Sequence, residues 1–253
     1  DTGRRPHVMM RREGGLITVR GDNGRMEDYP DQAMTSETAL HMLGDAGRFP
    51  EISTVRHLIG QWRFYHGFRS DAQSPLRGPC LPITAPMLDE DGSNIAAVLA
   101  TLAWTKQDTI DLDRAVYDAF AGAALSIPRP AEHAEFGLVL PDFPNRVFKP
   151  RELSDGQIRF LALAAALLSY RRPPFIALNE PEASLHPDML PALAQMIASA
   201  ALDSQIWVVT HSQALASAIS ERCGVRARTV IRKDGATWIE GMKLTGEMAD
   251  EEE

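Results

Sequence analysis

Three polar residues follow apolar runs in the second half of the sequence. Glu180 and Glu182 come shortly after the run FIAL, and His211 follows the run IWVV and one threonine. A well-placed carboxylate can orient and deprotonate a water molecule, and an imidazole can donate a hydrogen bond to an anion. A single histidine of this kind usually has no chemical role, so His211 is a candidate only together with its neighbours. These residue types are suited to moving a proton and to contacting an anion.

A second candidate is the polar turn Ser154-Asp155-Gly156-Gln157, which runs into a helix made almost entirely of Ala and Leu. The start of a helix offers unpaired N–H groups and the positive end of the helix dipole, so Ser154 and Gly156 there predict an anion site, with phosphate as its guest. On this stretch alone, the simpler interpretation that Ser154 caps its own helix is favoured.

The elements that must position these residues are apolar strands followed by helices. PFIALNE and QIWVVTHS are typical of buried strands, and HPDMLPALAQMIASAA and ALASAIS are typical of helices. This alternation predicts a parallel sheet covered by helices on both faces. Ligands gather at the carboxyl ends of such strands, so we expect the polar residues that follow the two strands to lie close together.

The sequence divides into three predicted segments. Residues 1–30 contain two strand-like runs, HVMMRR and LITVR, that predict an antiparallel β part. Residues 31–130 predict a mainly helical insertion that begins with TSETALHML, capped by Thr35 or Ser36, and includes one strand, WRFYHGF. Residues 131–253 carry the candidate chemistry and form the third segment.

Composition restricts the classes of protein. The chain has 253 residues and a formal net charge of -8, which argues against general binding of polyanions. Two cysteines are too few for a disulfide framework or a zinc site and are typical of a reducing compartment. No apolar run approaches the roughly 18 residues needed to span a bilayer. We therefore expect a cytoplasmic protein with no membrane partner.

Four short stretches resemble, in order and spacing, the motifs of ABC-type ATPase heads of the RecF, SMC and OLD-like group. LSDGQ at 153–157 resembles the LSGGQ signature, with Asp155 in place of the first Gly, and FIALNEPE at 175–182 resembles a Walker B strand with its catalytic glutamate. ASLHP at 183–187 is similar to the D-loop, and VVTHS at 208–212 is similar to the switch-histidine strand. Four ordered motifs are far more specific than one. The likeness is closest to bacterial RecF-like ATPases of the AAA family.

The resemblance implies an α/β fold of the P-loop NTPase class and ABC-ATPase type. Its mostly parallel sheet is flanked by helices, with an antiparallel β part and a helical insertion. It also implies ATP and Mg²⁺ as cofactors, with Glu180 activating water and His211 contacting the terminal phosphate. Asn179 stands where relatives place an Asp that holds Mg²⁺, which implies a weak metal site with Glu182 as a compensating ligand. The residues implied in nucleotide contact are Ser154, Asp155, Gly156, Gln157 and Ser184.

A homodimer is also implied, in which two heads close on two ATP molecules. Ser154 would act in trans on the nucleotide of the other head, with Ser184 near the interface. The sequence contains no Gly-Lys dipeptide and therefore no Walker A motif GxxxxGK[ST]. Relatives carry that motif near the N terminus, and the chain begins with Asp1 rather than Met. We expect a missing N-terminal P-loop portion upstream and a chain that is inactive alone.

Three functions stay open. The first is an ATP-hydrolysing head, and the alternative is a degenerate nucleotide-sensing module without significant hydrolysis, consistent with the neutral Asn179. The third is a component of DNA repair or defence that binds DNA and whose ATPase is secondary. Phosphate release with and without DNA separates the three.

Overall fold

The computed structural model describes residues 7–21, 23–233 and 235–242. The chain forms two compact units, Asp1–Trp62 and Arg63–Glu253. The predicted three-segment division at residues 30 and 130 stays a prediction. In the part of the chain that the structure describes, no helix is long and apolar enough to cross a bilayer.

The first unit joins an antiparallel meander to two helices. Its strands are β1 (Met10–Glu13), β2 (Leu16–Arg20) and β3 (Met26–Asp28), and its helices are α1 (Ala39–Met42) and α2 (Pro50–Gly60). The predicted β part is present. The inward-facing side chains of β2 are buried because strand residues alternate between faces. The core of this unit contains Ile17, Val19, Ala33, Ala39, Leu43, Phe49 and Ile52.

The predicted cap of α1 is wrong. Thr38 rather than Thr35 or Ser36 precedes the first helical residue, and its side-chain oxygen accepts a hydrogen bond from the His41 amide at 3.1 Å. A cap must reach the second or third amide of its helix, so only the residue at the actual helix start can serve. The sequence TSET offers three hydroxyl residues and does not mark that start.

The second unit begins with β4 (Arg63–Tyr65) and continues through the predicted helical region. A 3₁₀ turn at Pro75–Arg77 interrupts the Pro-rich connection, residues 66–94, and the helix that follows it, α3 (Ile95–Thr101), continues into a π-helical turn at Leu102–Lys106. The next elements are α4 (Ile110–Ala119) and a small antiparallel sheet of β5 (Ala124–Ser126), β6 (Gly137–Val139) and β7 (Val147–Phe148).

The remaining elements are those that the sequence predicts to carry the chemistry. They are α5 (Asp155–Leu167), β8 (Phe175–Asn179), a 3₁₀ turn at Pro187–Met189, α6 (Leu190–Ala200), β9 (Gln205–Val209), α7 (Gln213–Cys223), and the hairpin of β10 (Val230–Lys233) and β11 (Ala236–Ile239). From Phe160 onward, helix α5 is apolar on every side and is correspondingly buried. Strands β4, β8 and β9 form a parallel sheet in that order, so the predicted mixed α/β architecture with a parallel sheet is confirmed.

The two faces of this parallel sheet differ. Ile176 and Leu178 of β8 are buried in the same core as α5 and α6. On β9, Trp207 and Val209 are 57% and 44% exposed. Among the residues that the structure describes, helices cover one face, and cover of the second face stays a prediction. Trp207 and Val209 are hydrophobic, so the sequence of β9 is typical of a strand whose two faces are both covered.

Candidate functional site

Glu180 sits at the carboxyl end of β8 in an unusual backbone conformation. Its φ is +46°, and its amide donates a hydrogen bond to the Val209 carbonyl at 2.8 Å, which extends the pairing of β8 with β9 by one residue. A non-glycine residue with positive φ is uncommon and persists where the surrounding structure holds it. The turn therefore directs the carboxylate to the edge of the sheet, where its side chain is 47% exposed.

His211 lies next to Glu180, as the sequence predicts. The distance between His211 Nε2 and Glu180 Oε1 is 3.3 Å, and the imidazole is 84% exposed. The two residues meet because β8 and β9 are adjacent parallel strands whose carboxyl ends share one edge. The contact is an ion pair when the imidazole carries its second proton, and a neutral imidazole can donate one hydrogen bond across it.

Glu182 holds the loop that carries His211. Its Oε1 atom accepts hydrogen bonds from the Thr210 hydroxyl at 2.6 Å, the His211 amide at 3.0 Å and the Ser212 amide at 3.1 Å. The other carboxylate oxygen, Oε2, is buried and has no hydrogen-bond partner among the described residues. Sequence reasoning missed this role and proposed Glu182 as a metal ligand.

A Mg²⁺ site is only partly provided by the described residues. Asn179 is exposed at the end of β8 and offers one neutral amide oxygen. Among the residues that the structure describes, no group of three or more His, Cys, Asp or Glu side chains is arranged to hold a metal ion. Mg²⁺ takes six oxygen ligands and keeps several waters, so these residues do not form its site without further ligands. Metal binding by Asn179 and Glu182 stays a prediction.

Ser154 caps α5. Its Oγ accepts a hydrogen bond from the Gln157 amide at 3.2 Å, and Gln157 Oε1 accepts one from the Ser154 amide at 2.9 Å. This reciprocal arrangement is a capping box, so the simpler interpretation of the turn holds. Ser154 is also exposed, so capping does not remove it from the surface.

Asp155 lies in the polar turn at residues 154–157, named the signature turn for its resemblance to LSGGQ, and forms an ion pair with a buried arginine. Arg77 Nη2 lies 2.8 Å from Asp155 Oδ1, and the side chains are 7% and 61% exposed. The same guanidinium donates hydrogen bonds to the carbonyls of Ser70, Pro150 and Leu153 at 2.7 to 2.9 Å. Arg77 therefore anchors the signature turn to the Pro-rich connection. No periodic pattern in the sequence of that connection predicts this role.

Gly156 brings the signature helix against the turn that follows β8. A Cβ atom on Gly156 would lie 2.7 Å from the Ser184 carbonyl oxygen, closer than packed atoms tolerate, so the position requires glycine. Ser184 itself has a φ of +66°. Arg159 of α5 reinforces the contact by donating hydrogen bonds to the Ala183 carbonyl at 3.1 Å and Ser184 Oγ at 3.3 Å. Sequence reasoning also missed Arg159.

A shallow cleft beside this contact is lined by Tyr65, Phe68, Arg159, Asn179 and Glu180, among others. Burial raises the pKa of Tyr65 above its ordinary value, so the hydroxyl stays neutral and donates a hydrogen bond to the Leu88 carbonyl at 2.9 Å. The cleft thus joins the end of β8 to α5 and places an arginine and a carboxylate at one opening.

A family comparison matches this region of the chain. Residues 51–217 match the model of the family described as "AAA domain, putative AbiEii toxin, Type IV TA system". The protein belongs to this AAA-domain family. The matched residues include every candidate position from Ser154 to His211. The ATPase resemblance and fold class predicted from the sequence are thereby confirmed, and the AAA-domain chain is of a nucleotide-using, ATPase-type family.

One curated protein matches part of the AAA-domain chain. It is 37% identical over 90 residues to the thiamine import ATP-binding protein ThiQ of Chelativorans sp. (strain BNC1), a match that covers 35% of this chain and 36% of ThiQ. The chain thus spans about a third of the length of this curated relative.

Solved structures similar to the AAA-domain chain include heads of SMC proteins. The SMC head domain from Thermotoga maritima is 14% identical, with a TM-score of 0.41 over 93% of this chain and 73% of that one. The Smc head domain with a coiled coil and joint from Pyrococcus yayanosii is 17% identical, with a TM-score of 0.42 over 55% of this chain and 27% of that one.

Proposed function

We propose that this chain is the signature and Walker B part of an ATP-hydrolysing head. The observation that carries the proposal is the 3.3 Å contact between Glu180 Oε1 and His211 Nε2 at the carboxyl edge of two parallel strands. A carboxylate base and an imidazole donor meet there at a solvent-exposed edge, inside a chain of an ATPase-type family. Bound ATP supplies the phosphoric anhydride that is cleaved.

Glu180 is the general base in this proposal. Its carboxylate orients a water molecule and takes its proton, while the N–H of His211 donates a hydrogen bond to the terminal phosphate when ATP is bound. Both side chains are open to solvent in the single chain. Closure by a second head would exclude bulk water and strengthen these electrostatic contacts.

Ser154 contacts the nucleotide that is bound by a second copy of the chain. The start of α5 is exposed and carries the positive end of the helix dipole, which favours an anion. Asp155 would repel a phosphate at this position, but the guanidinium of Arg77 offsets its charge. The proposed homodimer has twofold symmetry, so each nucleotide contacts Glu180 and His211 of one head and Ser154 of the other.

A Walker A element from a portion of the same protein outside these 253 residues completes each head. Two observations support this step. The sequence has no Gly-Lys dipeptide, and the described residues leave the apolar face of the sheet exposed at Trp207 and Val209. A helix that follows a Walker A loop and packs on this face would bury both side chains and bring phosphate-binding amides toward the strand ends.

The substitution Glu180→Gln in the intact protein tests the proposed base. We expect ATP turnover to fall at least about 100-fold, because general bases contribute that much or more, while ATP-dependent dimers persist in light-scattering measurements. Glu221→Gln, at an exposed position on α7, is the matched control and keeps wild-type turnover. Unchanged turnover in Glu180→Gln would reject Glu180 as the base.

A second candidate is a nucleotide-sensing module that closes on ATP without useful hydrolysis. The neutral Asn179 and the incomplete metal ligand set among the described residues favour it. ATP-dependent dimers with no phosphate release in the wild-type protein would select this candidate. Stimulation of phosphate release by DNA would instead select the DNA repair or defence function.

A further inference from the structure

Glu182 organises three consecutive residues at the end of β9. Thr210, His211 and Ser212 each donate a hydrogen bond to the same atom, Glu182 Oε1. The Thr210 hydroxyl also accepts a hydrogen bond from the Ser212 amide at 3.0 Å, which fixes the direction of its proton toward Glu182. One carboxylate oxygen thus accepts hydrogen bonds from three consecutive residues.

The position of Glu182 is electrostatically favourable. Ser212 is the N-cap of α7, an eleven-residue helix, so the carboxylate lies at the positive end of the helix dipole. Hydrogen bonds from N–H and O–H groups to a carboxylate are stronger than bonds between neutral groups. The loop between β9 and α7 is therefore held by charge as well as by geometry.

The same arrangement argues against Glu182 as a metal ligand. Three donor protons point at Oε1, and a cation at that oxygen would have to displace them. Oε2 is buried away from solvent.

We propose that Glu182 is a positioning residue that fixes the backbone of His211 so that its imidazole stays within reach of Glu180. The Glu180 amide donates a hydrogen bond to the Val209 carbonyl just before the loop, and Glu182 accepts hydrogen bonds from the next three residues. The imidazole itself is largely exposed, so its orientation depends on the backbone that carries it. The effect of Glu182 on ATP turnover rests on the proposed function, whereas its positioning of the His211 backbone does not.

Amide hydrogen exchange measured by NMR tests the positioning directly in the intact protein without nucleotide. In Glu182→Ala we expect the amides of His211 and Ser212 to exchange at least about tenfold faster, while the amides of α6 keep wild-type rates. In Glu182→Gln the side-chain oxygen still accepts, so protection at both amides is largely retained. Unchanged exchange at His211 and Ser212 in Glu182→Ala would overturn the proposal, as would an equal rise throughout α6.

ATP turnover provides a second readout. Misplacement of a catalytic group by about 1 Å can lower turnover about 100-fold, so Glu182→Ala should lower kcat about 10- to 100-fold and leave KM for ATP nearly unchanged. Glu182→Gln should recover most of kcat with an unaltered half-saturating Mg²⁺ concentration. A raised Mg²⁺ requirement in Glu182→Gln would overturn the proposal in favour of a metal ligand. If the wild-type protein has no turnover, the proposed function fails and the exchange measurement alone decides the role of Glu182.

Discussion

The signature turn and the edge formed by β8 and β9 use polar residues in opposite ways. In the turn, the side chains of Ser154 and Gln157 cap one helix, and Asp155 is tied to Arg77. At the edge, the exposed side chains of Glu180 and His211 meet each other. The side chains of the turn are thus engaged within the folded chain before any ligand binds, whereas the edge presents largely exposed groups. Substitutions in the turn should therefore lower stability, whereas substitutions at the edge should lower turnover with little effect on stability.

The largest expected effect is at the edge. His211→Ala should lower ATP turnover of the intact protein about 100-fold, because it removes the proposed donor to the phosphate. Its free energy of unfolding should stay within about 0.5 kcal/mol of wild type, since the imidazole is mostly exposed. Steady-state phosphate release and urea unfolding measure the two quantities.

His133→Ala, at an exposed position in the loop before β6, is the matched control and should change neither quantity. A loss of stability in His211→Ala comparable to that of a core substitution would remove the contrast between edge and turn.

The next effect is at Arg77, which anchors the turn. Arg77→Ala should lower the free energy of unfolding by about 3 kcal/mol, because it leaves the buried Leu153 carbonyl and the part-buried carbonyls of Ser70 and Pro150 without their donor. Urea unfolding followed by circular dichroism measures the loss.

Arg69→Ala is the control on the same connection. Arg69 pairs with Asp71 on the surface, and removal of an exposed pair should have a far smaller effect. Equal losses in the two variants would show that the signature turn is not anchored through Arg77.

The smallest effect on stability is at Ser154. Ser154→Ala removes a helix cap and should lower the free energy of unfolding by about 1 kcal/mol. In the intact protein it should also reduce the ATP-dependent dimer fraction, because Ser154 is the proposed contact with the second nucleotide. Thermal unfolding and light scattering measure the two effects.

Thr38→Ala removes the cap of α1 and provides the comparison for Ser154→Ala. It should lower stability without changing the dimer fraction. A wild-type dimer fraction in Ser154→Ala would restrict Ser154 to capping.

Local pattern accounts for most of what the sequence predicted correctly. Apolar runs followed by helices predicted the parallel strands, and the rule that their carboxyl ends share an edge predicted that Glu180 and His211 meet. The hydrogen bonds missed by sequence reasoning join distant positions. Arg77 and Asp155 are 78 residues apart, and Glu182 and Thr210 are 28 residues apart. Neither pair belongs to a periodic pattern.

The cover of the second face of the sheet is a different case. Residues on both faces of β9 are apolar, and that pattern predicts cover on both faces. The pattern says that Trp207 belongs against other apolar groups, but it carries no information about which segment supplies them. The alternation of residues along a strand specifies the chemistry of each face, and the tertiary structure determines which segment packs on that face.

Complementation between two variants, each lacking one of the two proposed contributions to a shared site, most directly tests whether Ser154 acts on the nucleotide of a second head. Glu180→Gln and Ser154→Ala are each prepared in the intact protein and mixed in equal amounts with ATP. A mixed dimer then contains one site with intact Glu180 and intact Ser154 from opposite heads. We predict that mixing restores about a quarter of wild-type turnover, since about half of the dimers are mixed and each has one complete site. Turnover equal to the average of the two separate variants would contradict a site shared between two copies.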